Sequence, residues 1–257
     1  MLELKNITKI YNVGTVNEQR IFNNFNLRIK TGDFVSVIGS NGSGKTSLLN
    51  IICGTIPVEA GDIFLDDKSI TKMPDYKRSR RIGRVYQNPS MGTCGDLTIL
   101  ENIALADCKG KPFNLRFGID KKRINYYKEI LSSLNLGLED KVNAKVGSLS
   151  GGQRQSMALL MSTMTDLDFL ILDEHTAALD PKTAETVMEL TNKLVQEKKL
   201  TTIMVTHNLR HAKAYGSRLI MMDAGKAILD KRDEEKSALE IEYLLKIFND
   251  ISLETGH

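Results

Sequence analysis

Hydrophobic positions along the chain fall into short uninterrupted runs and longer segments of helical period, which follow one another. The runs Phe34–Ile38, Phe169–Leu172 and Thr201–Thr206 are apolar or β-branched apart from Ser36, as is typical of strands buried on both faces. Helical spacing follows in Thr46–Ile52 after the first run and from Asp180 onward after the second. This alternation of strands and helices predicts an α/β fold with a mostly parallel sheet.

The remaining segments predict a helical insertion and a helical tail. Helical spacing is clearest in Thr98–Leu105 and Ile124–Leu131, and again in the amphipathic segment Ala238–Phe248. The apolar segments Arg218–Asp223 and Lys226–Leu229 flank an alanine-glycine turn and predict a β-hairpin. We therefore expect a discontinuous core, an inserted helical subdomain and a C-terminal helical tail, which cover residues 1–87 with 166–230, 88–165, and 231–257 respectively.

Composition changes this picture little. The 257 residues are 41% hydrophobic and 26% charged, as in ordinary folded proteins. The net charge of +3 is too small to favour a nucleic-acid partner, and the three cysteines are expected to be reduced thiols. No apolar run reaches the roughly 18–20 residues that cross a bilayer, so a role at a membrane would need another chain. Four arginines are interpreted as surface charges: Arg78, Arg80, Arg81 and Arg84.

Several polar groups stand where predicted parallel strands end. A glycine-rich loop follows Ile38, and Gln87, Asp173 and His207 each follow the end of a strand. The carboxyl ends of parallel strands share one edge of a sheet, where ligands of α/β proteins gather. The sequence therefore predicts one site at this edge.

The loop after Ile38 fits the phosphate-binding pattern G-x-x-x-x-G-K-[ST], between a strand and a helix. Its glycines let backbone N–H groups converge on phosphate, while Lys45 would reach the β and γ oxygens and the Thr46 hydroxyl would bind Mg²⁺. The predicted nucleotide-binding residues in this segment are Gly39, Ser40, Asn41, Gly42, Ser43, Gly44, Lys45, Thr46 and Ser47.

A second segment suited to an anion lies far along the chain. Ser150, Gly151, Gly152 and Gln153 stand at the start of a predicted helix, where unpaired N–H groups and the positive end of the helix dipole favour negative charge. The acids Asp173 and Glu174 close the strand that follows this helix. We expect the first to hold magnesium and the second to act as general base on water.

These segments together resemble the ATP-binding subunits of ABC (ATP-binding cassette) transporters. The order of the P-loop, Gln87, the Leu149–Gln153 signature, Asp173-Glu174, Asp180 and His207 is similar to the order of that family's motifs. The resemblance implies a Mg²⁺-dependent ATPase with a P-loop NTPase core, an antiparallel β portion near the N-terminus and an inserted helical subdomain. By the same resemblance, Gln87 would touch the magnesium shell and His207 the γ-phosphate.

The resemblance also implies partners. Two copies of the chain would meet head-to-tail, with the Ser150–Gln153 segment of each capping ATP held by the other and Asp180 communicating across the interface. Tyr11 would stack on adenine, although an ordinary core or surface tyrosine is the alternative. The family implies a transmembrane permease, which would bind near Met91–Asp96. It also implies an extracytoplasmic binding protein that acts through the permease, and it implies that this chain lies at the cytoplasmic face of the membrane. One similar branch serves uptake systems, some of them linked to aromatic amino acids.

Other interpretations remain open at this stage. An exporter ATPase of the same type and a soluble cassette ATPase, such as the iron–sulfur-assembly kind, share these motifs. His175 stands where the family commonly has proline, and it is either a second catalytic histidine or a simple loop substitution. A basic cluster meets either anionic lipid headgroups or only solvent. It comprises Lys109, Lys111, Arg116, Lys121, Lys122, Arg123 and Lys128.

Overall fold

The computed structural model describes residues 1–111 and 118–255 and contains two β-sheets. The strands are β1 (Leu2–Tyr11), β2 (Gln19–Ile29), β3 (Phe34–Gly39), β4 (Ala60–Leu65), β5 (Lys68–Ser69), β6 (Ile82–Val85), β7 (Phe169–Asp173), β8 (Thr202–Val205), β9 (Arg218–Asp223) and β10 (Lys226–Arg232). An antiparallel sheet of order β2-β1-β4-β5 is formed near the N-terminus. The second sheet has the order β10-β9-β3-β8-β7-β6, in which β10 alone pairs antiparallel.

Helices connect and cover the strands. Within the described residues they are α1 (Lys45–Cys53), α2 (Asp75–Arg78), α3 (Ile99–Asp107), α4 (Ile124–Ser132), α5 (Gly151–Ser162), α6 (Pro181–Glu197), α7 (Leu209–Ala214), α8 (Asp233–Ser237) and α9 (Ile241–Thr255). None of the helices in this part of the chain is both long enough and apolar enough to span a membrane. The predicted α/β fold class, with its antiparallel portion near the N-terminus, is confirmed.

Burial of the central strands on both faces explains their largely apolar sequences. Every residue of β3 and β8 is buried, and so is β7 up to Leu172. Both faces of these strands are covered, so alternation of polar and apolar residues is absent. Asp173, at the end of β7, is the first residue of that strand with partial exposure, which places its carboxylate at the edge of the sheet.

Helix α1 is fixed inside the main hydrophobic cluster. Leu48, Leu49, Ile51 and Ile52 are fully buried there, together with apolar residues from both sheets. The helix that carries the end of the glycine-rich loop is therefore anchored on all its apolar positions, and the loop is presented from a rigid base.

The helices α3, α4 and α5 share a second cluster, which includes Ile103, Leu131, Val146 and Met157. Part of α5 belongs elsewhere, because Leu159 packs with Leu172 of β7 in a third cluster. The boundaries of the helical subdomain at residues 88 and 165 stay a prediction.

The tail differs from the single helix predicted over Ala238–Phe248. A short α8 precedes α9, which begins at Ile241 and continues to Thr255. The Leu239 N–H donates to the Lys236 carbonyl, so the backbone at Leu239 closes α8 instead of starting the next helix.

Arg78 is buried rather than a surface charge, so that interpretation was wrong for this residue. It is 4% exposed, and its guanidinium donates to the carbonyl oxygens of Thr71, Met73, Ile51 and Ile52. The last two carbonyls lie in the final turn of α1, where a cation is favoured by the helix dipole. The four hydrogen bonds that the guanidinium donates offset the loss of hydration, so its burial is tolerated.

Candidate functional site

The glycine-rich loop holds backbone conformations that L side chains rarely adopt. Gly42 and Gly44 have φ of 81° and 100°. A Cβ atom at Gly39 would lie 2.2 Å from the Met222 carbonyl oxygen, because β9 runs directly beside β3 there. Gly44 caps α1 without any side-chain acceptor, so the first N–H groups of α1 are left for an anion.

Lys45 is held beneath this loop. The side chain is 5% exposed, and Nζ donates to the carbonyl oxygens of Gly39 and Ser40, both at 2.8 Å. Burial lowers the pKa of Lys45, while the negative charge of Glu174 acts in the opposite direction. The loop therefore folds around the ammonium group that was predicted to bind phosphate.

Tyr11 lies next to the start of α1. Its hydroxyl is 3.1 Å from the Ser47 hydroxyl, and the Lys9 ammonium lies 5.2 Å from the centre of its ring. Thr46 is exposed in the first turn of α1. The structure thus brings the predicted adenine-stacking residue beside the loop, while its role stays a prediction.

Two predicted catalytic residues meet at the ends of β7 and β8. Glu174 Oε1 lies 2.8 Å from His207 Nε2. The parallel register pairs Asp173 with Val205, so the residues after both strands emerge side by side. Glu174 has φ of 48°, which is costly for a residue with a side chain and recurs at functional sites.

Arg84 is also wrongly interpreted as a surface charge. Its side chain is 11% exposed, and Nη2 lies 2.6 Å from Asp173 Oδ2. Burial lowers the pKa of Arg84, but the hydrogen bond to Asp173 and nearby negative charge outweigh it, so the pKa is raised overall. Sequence reasoning missed this residue, although an arginine inside a buried parallel strand was a usable signal. Gln87 is exposed just beyond the same strand.

The Ser150–Gln153 segment starts α5 as predicted. Ser150 is its N-cap, and its hydroxyl accepts from the Gln153 N–H while Gln153 Oε1 accepts from the Ser150 N–H. A Cβ at Gly152 would lie 2.2 Å from Thr183 Cγ2, so α5 starts in close contact with α6. In the described part of the chain, no hydrogen bond or ion pair joins this segment to the glycine-rich loop.

Asp180 and Gln155 secure the surroundings of that segment. Asp180 caps α6, and its Oδ1 accepts from the Thr183 N–H. Hydrogen bonding by the Thr183 side chain, followed by that of the Thr183 N–H, lowers the pKa of the Asp180 carboxyl. Gln155 is 1% exposed, and its Nε2 donates to the Tyr86 carbonyl, just before Gln87. Gln155 was missed because a buried amide has no distinctive sequence pattern.

The sequence profile of the ABC transporter family matches residues 22–177. This chain belongs to the ABC transporter family. A tyrosine transport ATP-binding protein of Clostridioides difficile is 48% identical over 248 residues, which cover 96% of this chain and 98% of that protein. A phosphonates import ATP-binding protein of Lactobacillus delbrueckii subsp. bulgaricus is 34% identical, with 91% of each covered.

Solved ABC cassettes share the fold. A dimeric cassette in a post-hydrolysis state, bound to ADP and Pi, matches with a TM-score of 0.76 and 32% identity, covering 90% of this chain and 98% of that one. Another, described as the ADP conformation of a cassette, reaches a TM-score of 0.80 at 24% identity and covers 98% of both chains, which shows the fold alone. This ABC protein is accordingly an ATPase that binds ATP.

The residues at the site of this ABC ATPase suit a magnesium-bound triphosphate. The uncapped start of α1 offers N–H groups to phosphate oxygens, and Lys45 supplies positive charge. Thr46 and Asp173 offer the hydroxyl and carboxylate oxygens that Mg²⁺ prefers. Since Mg²⁺ keeps several waters and binds phosphate oxygens, few protein ligands are needed.

The basic cluster is partly neutralised. Arg123 and Lys111 both pair with Asp107, whose other oxygen accepts from the Tyr127 hydroxyl. Lys121 and Lys122 are exposed. Arg116 lies outside the described residues, and contact of this cluster with lipid stays a prediction.

His175 is not placed as a second catalytic histidine. It is 2% exposed, and its Nε2 lies 3.1 Å from the Thr191 hydroxyl on α6. The His175 side chain points into the protein, although the preceding residue, Glu174, has its side chain at the site beside His207. The other interpretation, a substitution in the loop, fits this position, and the side chain anchors the loop to α6.

Acidification is expected to destabilise the ABC protein through His175. Burial, together with the charge of His211, lowers the pKa of His175 from 6.5 to about 3. Between these values the unfolded chain binds a proton that the folded chain does not, so stability falls as the pH drops below 6.5. The contribution amounts to about 2 kcal/mol at pH 5.

Urea unfolding of the wild type and His175→Gln at pH 8, 7, 6 and 5 measures this effect. The pH 8 values give the cost of the substitution itself, because the imidazole is neutral in both states there. The variant should then lose less stability than the wild type on acidification. Equal losses in the two proteins would remove His175 from this role.

Proposed function

We propose that this chain hydrolyses ATP to energise import of a small solute through a separate transmembrane permease, with an aromatic amino acid such as tyrosine as the solute. The observation that carries the proposal is the 48% identity, over 96% of the chain, to a tyrosine transport ATP-binding protein. Phosphonate import relatives are 30–35% identical, which supports import but favours a phosphonate less.

The site residues have separate tasks in this proposal. The glycine-rich loop and Lys45 bind and orient the β and γ phosphates, and Thr46, Gln87 and Asp173 hold Mg²⁺. Bound Mg²⁺ supplies positive charge that stabilises the phosphoryl group during transfer. Glu174 takes a proton from the attacking water.

His207 is positioned for a role beside that base. Its Nε2 lies 2.8 Å from Glu174 Oε1, while 45% of its side chain is exposed. An imidazole so placed can orient the carboxylate through one contact and still turn toward the γ-phosphate. Tyr11 stacks on adenine at the other end of the nucleotide.

A head-to-tail homodimer completes each site. Ser150, Gly151, Gly152 and Gln153 of one copy cap the ATP held by the other, and Asp180 lies across the interface. The absence of a bond between this segment and the glycine-rich loop, among the described residues, supports the assignment, as does the dimeric state of a solved cassette at 33% identity.

The permease is proposed to contact Met91–Asp96 from the membrane. Met91 is 67% exposed. The Asn102 side chain on α3 accepts a hydrogen bond from the Cys94 N–H and donates one to the Cys94 carbonyl, which fixes the backbone of this segment. Met91 lies only four residues after Gln87, so movement of the permease can reach the site. The chain would thus lie at the cytoplasmic face of the membrane, below an extracytoplasmic binding protein.

Reconstitution in lipid vesicles tests the proposal. The chain is co-purified with the membrane protein that it binds, and ATP hydrolysis is measured with binding protein that carries tyrosine, phenylalanine or methylphosphonate. We expect stimulation by the aromatic amino acids and movement of labelled tyrosine from the compartment that holds the binding protein into the compartment that holds the cassette. Stimulation by methylphosphonate alone would replace the solute, outward movement would indicate an exporter, and purification with soluble proteins only would overturn the transport role.

A further inference from the structure

Arg84 makes contacts from three directions at the proposed magnesium site. Nη2 donates to Asp173 Oδ2 at 2.6 Å, and Nη1 donates to Asn50 Oδ1 at 2.8 Å. The guanidinium carbon also lies 4.7 Å from the centre of the Tyr86 ring. The guanidinium thus joins the end of β7, helix α1 and the residue that precedes Gln87.

The parallel register explains this position. Arg84 on β6 is paired with Ile171, so Asp173 lies two residues further along the neighbouring strand. Arg84 shares a face of the sheet with its paired residue Ile171, and Ile171 shares that face with Asp173, because residues two apart in a strand point the same way. The Arg84 and Asp173 side chains therefore point to the same face. The guanidinium needs only to extend along the strand direction to reach the carboxylate.

A purely structural role does not account well for the ion pair between Arg84 and Asp173. Desolvating an arginine is costly, and Arg84 Nε is buried without a nitrogen or oxygen hydrogen-bond partner among the described residues. The bond to Asp173 engages Oδ2, which leaves the carboxylate's Oδ1 for the shell of a cation. Arginine at this place therefore limits the rotation of a carboxylate without using both of its oxygens.

We propose that Arg84 is a positioning residue for Mg²⁺, which fixes the Asp173 carboxylate and ties it to α1 and to the segment that carries Gln87. The inference rests on the proposed function, in which Asp173 helps to hold the metal. Residues that orient metal ligands typically change metal affinity by about 10- to 100-fold when they are replaced.

Nucleotide binding with and without metal tests this role apart from hydrolysis. Binding of a fluorescent ATP analogue is measured in EDTA and across a Mg²⁺ titration for the wild type, Arg84→Gln and Arg84→Lys. In Arg84→Gln we expect the Mg²⁺ midpoint to rise about tenfold, with affinity in EDTA unchanged. Lysine keeps the charge but cannot span both Asp173 and Asn50, so the Mg²⁺ midpoint of Arg84→Lys should lie between those of the wild type and Arg84→Gln.

Two further variants control the experiment. Arg81→Gln removes an arginine that lies just before β6 and pairs with Asp66 and Asp168, and it should leave the Mg²⁺ midpoint unchanged. If Arg84→Gln does not fold, as judged by thermal unfolding, Asn50→Ala removes the second anchor of the guanidinium and should raise the midpoint by a smaller factor.

The outcomes separate the claims. An unchanged or lowered midpoint in Arg84→Gln overturns the inference, and so does an equal loss of affinity in EDTA and in Mg²⁺. A wild type whose binding ignores Mg²⁺ removes the proposed metal site and this inference with it. A wild type that depends on Mg²⁺, beside variants that match it, overturns the role of Arg84 alone.

Discussion

Replacing Glu174 with glutamine is expected to lower the rate of ATP hydrolysis by about 10²- to 10⁴-fold, the usual contribution of a general base. Glutamine has nearly the same shape but cannot accept a proton from water. Its side-chain oxygen can still contact His207, which lies 2.8 Å from the carboxylate in the wild type. ATP affinity should therefore persist, and the ATP-bound homodimer should accumulate because hydrolysis no longer reopens it.

Phosphate release and size-exclusion chromatography with Mg²⁺ and ATP measure the two effects. Glu197→Gln is a matched control, because Glu197 lies on the surface of α6 with its side chain 58% exposed. Wild-type phosphate release by Glu174→Gln would assign the general base to another group. Loss of phosphate release without accumulation of the dimer would show that Glu174 acts in hydrolysis but that hydrolysis does not control the opening of the dimer.

Replacing Lys45 with alanine is expected to weaken ATP binding itself by about 10- to 100-fold. A hydrogen bond to a charged group typically contributes about 1.5–3 kcal/mol, which corresponds to that range of affinity. The ammonium already lies within the loop, 2.8 Å from the carbonyls of Gly39 and Ser40, so ATP binds a cation that the protein has positioned in advance.

Calorimetric titration with ATP and with AMP separates phosphate binding from base stacking. The loss should be large for ATP and small for AMP, which lacks the β and γ phosphates. Lys193→Ala serves as control, since that side chain is 55% exposed on α6. Equal ATP affinity in wild type and Lys45→Ala would contradict the assignment of the loop to the triphosphate.

The predicted parts of the fold were those with a local signature. Strands β3, β7 and β8 are covered on both faces, so their burial appears as largely apolar sequence without regular alternation of polar and apolar residues. The glycine-rich loop needs unusual backbone angles, and its glycines are therefore visible in the sequence. Both signals depend only on neighbours along the chain.

The parts that escaped prediction depend on distant partners. Arg78 is buried because carbonyls at the end of α1 accept its hydrogen bonds, and Arg84 because Asp173 stands on the adjacent strand. Neither partner is near in sequence, so a run of arginines was interpreted as solvated. The direction of the His175 side chain likewise depends on Thr191, which lies sixteen residues further along the chain on α6.

The contact between Gly152 and Thr183 has a thermodynamic consequence for assembly. With no room for a Cβ at Gly152, the first turns of α5 and α6 are locked together, and Ser150 and Asp180 are the caps of these two turns. A second copy of the chain would therefore meet Ser150 and Asp180 as parts of one preformed surface. The entropy needed to order them is lost during folding, before the copies meet, which leaves more of the contact energy for association.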